Sequence, residues 1–518
     1  MIESIQIICM NSLCKLLDLD IYLLYFLDIN TIQNLIITSK EQYDLMTIVD
    51  IVQEIRIVFK IPKLSFLEII NRSAKYNCLL ILKMVSVSRC YNICIFNAIN
   101  NAAKKGYVRI LDWFANSHYI FSFGHYTIEL ASKNGYVSIL NWFRDSPYDL
   151  IYGELAIDEA ATNGHIEILN WFRDSAYKFK YSNRAIDGAS KNGHIGVLNW
   201  FRESEYEFKY SREAIDGASE NGHICVLNWF RESEYEFKYD NRAIDRASKN
   251  GHISVLNWFK ESIYVFLYTK RAINAAAENA YINVLKWFAE SEYKFKCDPR
   301  AIFATCKNGN IDILKFIERY EFSASSPYRR DIFARVAMHS DTILLVAARN
   351  GYVHILEWYD TSKYRIYVQN FAYMETMENI VVLASKYKHI AILEWVRGKY
   401  NIKSISNAVD VASKKGYVSI LDWFSNSGYE FKYTSNAIDS ASKKGYVNVL
   451  EWFYNSKYEF KYTKNAINLA IRYNHINVLE WFHNSKYKIK YSKNAKILAI
   501  RYNNNNVLQW FQKSGYSL

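Results

Sequence analysis

The sequence predicts an all-α fold, a helical-repeat solenoid of about 15 helix-turn-helix units joined by short extended connections. Three observations predict it. The first is that all thirteen tryptophans share one register: Trp113, Trp142, Trp171, Trp200, Trp229, Trp258 and Trp287 stand 29 residues apart. Phe316 keeps the step, and Trp423, Trp452, Trp481 and Trp510 resume it after Trp358 and Trp395. The second is a glycine that recurs in the middle of most periods, and the third is a switch of apolar spacing from helical to alternating within them. A fixed period of roughly 20 to 50 residues marks stacked units, each burying its apolar face against the next.

The copy at residues 182 to 210, SNRAIDGASKNGHIGVLNWFRESEYEFKY, shows each element in order. Ser182 opens a first helix that carries Ile186 and Ala189 three residues apart; Ser211, Asp240, Thr269, Thr434, Thr463 and Ser492 hold its place elsewhere. These are N-cap residues, whose side-chain oxygen accepts a free N–H of the first turn. Gly193 ends the helix, and its register is glycine in ten of fourteen clear copies, with Ala280, Lys388, Asn474 and Asn503 as exceptions. A left-handed terminator is expected there, because a β-carbon in that conformation costs energy. His194 to Ser204 forms the second helix, with Ile195, Leu198 and Phe201 on one stripe widened by Val197 and Trp200. The Leu198 register is leucine in all fourteen copies, and that of Ala189 is alanine in all but Thr305. Both belong to a core, alanine allowing close approach and leucine and tryptophan filling the space between units. The connection EYEFKY alternates, with Tyr206, Phe208 and Tyr210 on one face and Glu207 and Lys209 on the other, so it is extended.

Helix, glycine turn, helix and extended loop, carried by AIDGASKNGHIGVLNWF (185 to 201) and by the NGH of 163 to 165, 192 to 194, 221 to 223 and 250 to 252, resemble the ankyrin repeat. The resemblance covers roughly residues 62 to 518 and implies an ankyrin-type array that binds other proteins. The period is 29 rather than the family's usual ~33, the opening Thr-Pro is absent, and tryptophan replaces a leucine. With its near-identical copies and AT-rich residue usage, the chain looks like the ankyrin proteins of giant DNA viruses of amoebae. NCLLILKMV (77 to 85) supplies the first unit, with Leu82 in the leucine register. Insertions near 318–342 and 360–379 are expected as extended loops or a kink that carry binding elements. Asn505, where isoleucine normally sits, makes the last copy a capping unit.

Residues 1–61 lack the repeat and are expected to form a helical cap. From Leu23, LLYFLDINTIQNLIITSKEQYDL resembles an F-box: Leu27 and Asp28 match its leucine-aspartate pair, Ile32, Leu35 and Ile37 its helix, and Ser39 and Lys40 its turn. The leading Leu-Pro and the later tryptophan are replaced by Leu17-Asp18 and Gln42. The resemblance implies a Skp1-like partner touched by Leu27, Asp28, Ile32 and Leu35. A cap that only covers the first repeat is the other reading of the same residues.

Composition narrows the function. With 50% hydrophobic and 16% aromatic residues the chain is too apolar for disorder. Lysine and arginine outnumber acids 64 to 52, yet residues 1 to 60 hold four basic and eight acidic residues, so the excess lies in the repeats. A nucleic-acid or other polyanion-binding basic solenoid is the alternative function. The most basic aromatic stretch is Lys486, Lys488, Lys490, Lys493 and Lys496 with Tyr487 and Tyr491. The same tyrosines recur beside acids in other copies, so packing accounts for the aromatics, codon bias for the lysines, and nucleic acid is not the expected partner. Eight cysteines without zinc spacing point to a reducing compartment. Asp18, Asp20 and Asp28 interrupt the N-terminal apolar runs, so neither a signal peptide nor a membrane span is expected. The cytoplasm is the expected location, that of the host if the chain is viral, with the nucleus open.

Six histidines, His165, His194, His223, His252, His389 and His475, follow the glycine turn. Neighbouring helices lie about 8 to 10 Å apart, too far for ligands that must reach one ion within about 2 Å. A hydrogen bond between turns is therefore expected, with no metal. Gly188 to Gly193 mimics part of a phosphate loop but lacks its lysine and its preceding strand. Paired acids such as Glu203 and Glu205 recur in a solvent-facing segment, and no catalytic set or cofactor site emerges. The expectation is a non-enzymatic, monomeric scaffold for another protein. Its contact positions are Glu159, Gly188, Gly217, Arg246 and Ala275, which share one first-helix register and vary while the core does not.

Overall fold

The computed structural model describes residues 66–79, 82, 95–117, 119–295, 297–321, 340–367, 370–400, 402, 407–492 and 495–516. The segment 1–61, with Leu27, Asp28, Ile32 and Leu35, and most of the first insertion lie outside the described residues. Among the described residues the regular elements are 29 α-helices and one short 3-10 helix. The chain divides into two compact units, Met1–Ala272 and Ile273–Leu518. In each unit, helix pairs stack in chain order as a helical-repeat solenoid, first helices against first helices and second against second.

In the first unit, Arg184–Lys191 pairs with Ile195–Glu203 and Glu213–Glu220 with Ile224–Glu232. The hydroxyl of Ser182 accepts the N–H of Arg184 at 3.2 Å, and Ser211, Asp240 and Thr269 act alike. The helix closes at Gly193, φ +78°, where His194 N–H donates to the Ala189 carbonyl at 2.9 Å and Gly193 N–H to that of Ser190 at 3.2 Å. These two hydrogen bonds satisfy carbonyls a helix end otherwise leaves bare. A β-carbon on Gly193 would stand 2.8 Å from Nδ1 of His223, the histidine one repeat on. Glycine therefore serves twice, for its backbone and for the ring laid on it.

The core follows the registers. Ala189, Leu198 and Phe201 are buried, as are their counterparts Ala218, Leu227 and Phe230. Along the connection, Glu205, Glu207 and Lys209 are exposed while Tyr206, Phe208 and Tyr210 are half-buried, the period-two pattern of an extended segment.

The second unit obeys the same grammar with more substitutions. Lys388, Asn474 and Asn503 adopt φ of +65°, +60° and +55° where glycine is absent, so the turn is held even at a conformational cost. Asn504, in the histidine register, donates from its side chain to the carbonyls of Ile471 and Arg472 at 2.7 and 3.1 Å. Asn505 beside it is exposed, a polar end to the stack. The second insertion departs from expectation. It forms the 3-10 turn Lys363–Tyr367 and the 18-residue helix Asn370–Tyr387 rather than an extended loop. The reason is that the first helix of the next copy runs back into it: Ile380, Val381 and Ala384 hold the registers of Ala185, Ile186 and Ala189, and Met377 extends their buried stripe into the insertion.

Two glycines separate the roles of backbone and contact. Gly428 has φ +83° with nothing within 4 Å of where a β-carbon would stand, whereas Gly193 has the histidine. Gly428→Ala should cost about 1 to 2 kcal/mol for the left-handed backbone, and Gly193→Ala clearly more, read from urea unfolding followed by tryptophan fluorescence. Equal losses would show that the histidine contact contributes nothing.

Candidate interaction surface

Three sets of side chains join neighbouring repeats, and a fourth faces solvent. The first set is a line of buried carboxylates. Asp158 accepts the Ser182 N–H at 2.9 Å through Oδ1 and the Ser182 hydroxyl at 2.6 Å through Oδ2. Asp187 holds Ser211 at 2.8 and 2.6 Å, and Asp245 holds Thr269 at 2.8 and 2.6 Å. In the second unit Asp410 holds Thr434 at 2.9 and 2.6 Å, and Asp439 holds Thr463 at 2.9 and 2.6 Å. The residue that caps one helix thus latches it to the aspartate of the preceding one. Burial raises the carboxyl pKa of Asp158, Asp187 and Asp245, opposed by the donated hydroxyl and amide.

Asp216 breaks the pattern. Its partner position is Asp240, whose amide donates at 3.2 Å but whose side chain brings a second carboxylate in place of a hydroxyl. Oδ2 of Asp216 is left with no hydrogen-bond donor. Arg242 Nε lies 3.2 Å away, directed to Asp240 at 3.1 Å, while its Nη1 meets Glu213 at 2.5 Å. Burial first, then the charges of Asp240 and Glu213, push the Asp216 carboxyl up to about 7 against the Asp240 amide and Arg242.

The second set is the histidine turn. Nε2 of His165 and the Lys133 carbonyl lie 3.0 Å apart, as do His389 and the Arg349 carbonyl, and His475 and the Lys443 carbonyl. Burial lowers the pKa of His194 and His223, so the neutral ring is favoured. Among the described residues no group of three His, Cys, Asp or Glu side chains converges as a metal site.

The third set is an aromatic edge. Nε1–H of Trp171, Trp200, Trp229 and Trp258 donates to Oδ1 of Asn141, Asn170, Asn199 and Asn228, each at 2.8 Å. Phe208 stacks on Tyr235 of the next connection at 4.0 Å, and Arg202 lies 5.4 Å over Trp229. The tryptophan register is therefore both a packing position and a polar bond between repeats.

The solvent-facing set lies on the first helices. Positions three and four apart share a helix face, so the registers of Arg184, Gly188 and Lys191 form adjoining columns. Glu159 pairs with Lys133 at 2.9 Å. A β-carbon on Gly188 would stand 2.0 Å from Thr162 Oγ1, and one on Gly217 2.9 Å from Lys191 Cβ. These glycines give way to the side chains of the preceding repeat. Arg246 joins Glu213 at 2.7 Å and Glu220 at 3.5 Å, and Glu220 also meets Lys191 at 3.2 Å. Ala275 is half-buried on the helix Lys270–Glu278. The surface presented is thus Thr162, Lys191, Glu213, Glu220, Arg242 and Arg246, of which variation in one register identified only the last. The missing signal is the pair of neighbouring registers on the same helical face.

No family model matches the chain, and no curated protein matches it.

The Asp216 site has a pH consequence. An acid whose folded pKa is raised binds a proton that the unfolded chain, near 3.8, releases. Its contribution to stability is full below the unfolded value and is lost as pH rises through about 7. Asp240→Ser restores the hydroxyl donor and should flatten the fall in stability between about pH 5 and about pH 8. Urea unfolding at the two pH values measures it; parallel slopes for wild type and variant would sink the assignment.

Proposed function

We propose that the chain is a non-enzymatic, ankyrin-type scaffold of about 15 units that binds another protein across the first-helix face. The carrying observation is the contrast between an unchanging core and a varied, mixed-sign surface. Alanine, leucine and phenylalanine repeat beneath Lys191, Glu213, Glu220, Arg242 and Arg246, which differ from copy to copy. A face of alternating ion pairs selects a partner by charge pattern more than by total charge. A monomer in the cytoplasm, that of the host if the chain is viral, fits this reading.

Its N-terminal part extends the proposal. The F-box resemblance makes the chain a substrate-recruiting adaptor for a ubiquitin ligase, with Leu27, Asp28, Ile32 and Leu35 on a Skp1-like subunit and the repeats selecting the target. No cofactor enters.

Two measurements test the two halves. Glu213→Ala with Arg246→Ala removes both members of a half-exposed ion pair and leaves Arg242 and Glu220 each one partner fewer, at a stability cost of about 1 kcal/mol. It should weaken partner binding about tenfold or more if the pair is a centre of the interface; undiminished capture of a cross-linked partner would exclude the face. Leu27→Asp with Ile32→Asp should abolish recovery of the Skp1-like subunit by full-length protein, and equal recovery would sink the adaptor reading. Retention on polyanions that falls steeply with salt would favour nucleic acid as the partner instead.

A further inference from the structure

One extended connection of the first unit differs from its neighbours in a concerted way. The solvent-facing positions are Glu205, Glu207 and Lys209 in one copy and Glu234, Glu236 and Lys238 in the next, but Ile263, Val265 and Leu267 in the third. The half-buried positions Tyr264, Phe266 and Tyr268 are unchanged in kind. The backbone is also held as before: Tyr239 donates to the Val265 carbonyl at 2.7 Å, as Tyr210 does to that of Glu236 at 2.6 Å. Only the outward side chains have changed.

Their replacement removes a linked pair of interactions. In the regular copies the lysine lies over the tyrosine of the preceding connection, Lys209 4.8 Å from the Tyr181 ring and Lys238 4.4 Å from Tyr210. The same lysines meet Glu207 at 3.7 Å and Glu236 at 3.9 Å. Leu267 stands where the next lysine would be, so the Tyr239 ring carries no such cation, and Val265 stands where its glutamate would be. The Leu267 amide also lacks the turn bond that Lys209 and Lys238 each make, at 3.0 Å, to the carbonyl two residues earlier. Ile263 is 93% exposed, Val265 66% and Leu267 41%. Single exposed isoleucines occur on other connections, at Ile120 and Ile151, but here three apolar residues adjoin, and the largest apolar patch on a monomer is often functional.

We propose that Ile263, Val265, Leu267 and the bare face of Tyr239 dock an extended segment of a partner protein that carries apolar residues at alternate positions and a lysine or arginine beside them. The patch offers roughly 300 Å² of apolar surface, well below the ~800 Å² that each member of a stable pair buries, so a second copy of this chain is a poor occupant. Residues 263 to 267 span about 13 Å of extended chain at ~3.3 Å per residue, room for three alternate side chains of an added strand. The exposed carboxylate of Glu234 on the adjoining connection, beside the Glu236–Lys238 pair, favours a cation in the partner. That cation takes the place over Tyr239 that lysine takes over Tyr210.

The proposal rests on the protein-binding reading above but uses a different surface. Its test uses full-length protein and labelled peptides of the sequence Lys-Val-Thr-Val-Thr-Val, its reverse, and the same two with glutamate for lysine. The variant Ile263→Glu/Val265→Glu/Leu267→Lys carries the residues of its neighbours and should melt as the wild type does. At least one lysine peptide should bind, with affinity falling about tenfold or more in the variant and in the glutamate peptides. Equal binding to wild type and variant, or no binding to either, overturns the proposal. So does concentration-dependent dimerisation abolished by the variant, which would make a second copy the occupant. Glu213→Ala with Arg246→Ala should leave the peptides bound, so failure at this strip and failure of the first-helix face are read separately.

Discussion

A pair of short helices cannot bury its own apolar face, and everything in this chain depends on the interface each pair makes with the next. The helices of one unit are 8 and 9 residues long, Arg184–Lys191 and Ile195–Glu203, shorter than the ~12 to 15 residues an isolated helix needs in water. Stability must therefore come from stacking. The apolar part is plain: alanine against alanine, leucine and phenylalanine between. The polar part sets the spacing. Aspartate to hydroxyl, histidine to carbonyl and indole to asparagine are three directional bonds at three places on the same interface, so a neighbour can neither slide nor tilt without breaking one.

Periodicity makes much of this readable from sequence, because a residue that must meet its own copy is forced to recur. Leucine, alanine, glycine and tryptophan recur, and their places in the turn, core and edge follow. Partners of different kind at an offset are harder to see. Asp187 meets Ser211, 24 residues on, and Trp200 meets Asn170, 30 residues back. Aspartate fills its register in six of the fourteen copies and asparagine in five, against fourteen for leucine, and nothing in the period says which polar residue faces which. Asp187 on a short helix reads as a solvent-facing acid until the neighbouring repeat is placed on it. Ser182 could be assigned its cap and not its second bond for the same reason.

The candidate surface is legible to a similar depth. Variation in one register singles out Gly188 and Gly217, yet their smallness is owed to Thr162 and Lys191, whose side chains occupy the space a β-carbon would need. What varies at those positions is partly the consequence of what varies beside them. The second insertion shows the opposite limit. Its length broke the register, which invited a loop, but the first helix of the next copy, with Ile380, Val381 and Ala384 in its core registers, extends back through Met377 into it.

Departures from the repeat carry more information than the repeat itself. At Asp240 a hydroxyl became a carboxylate, and the change leaves a buried oxygen of Asp216 without a donor while recruiting Arg242, Glu213 and Arg246 into one network. At Val265 and Leu267 a glutamate and a lysine vanished together, taking with them an ion pair and a cation over a tyrosine. Neither change improves the stack: the first puts like charges side by side in a desolvated place, and the second exposes apolar surface to water. Neighbouring copies show the unstrained solution in each case. A repeat array can discard that solution locally because adjacent interfaces hold the fold in place, which frees the altered copy to meet something outside the chain.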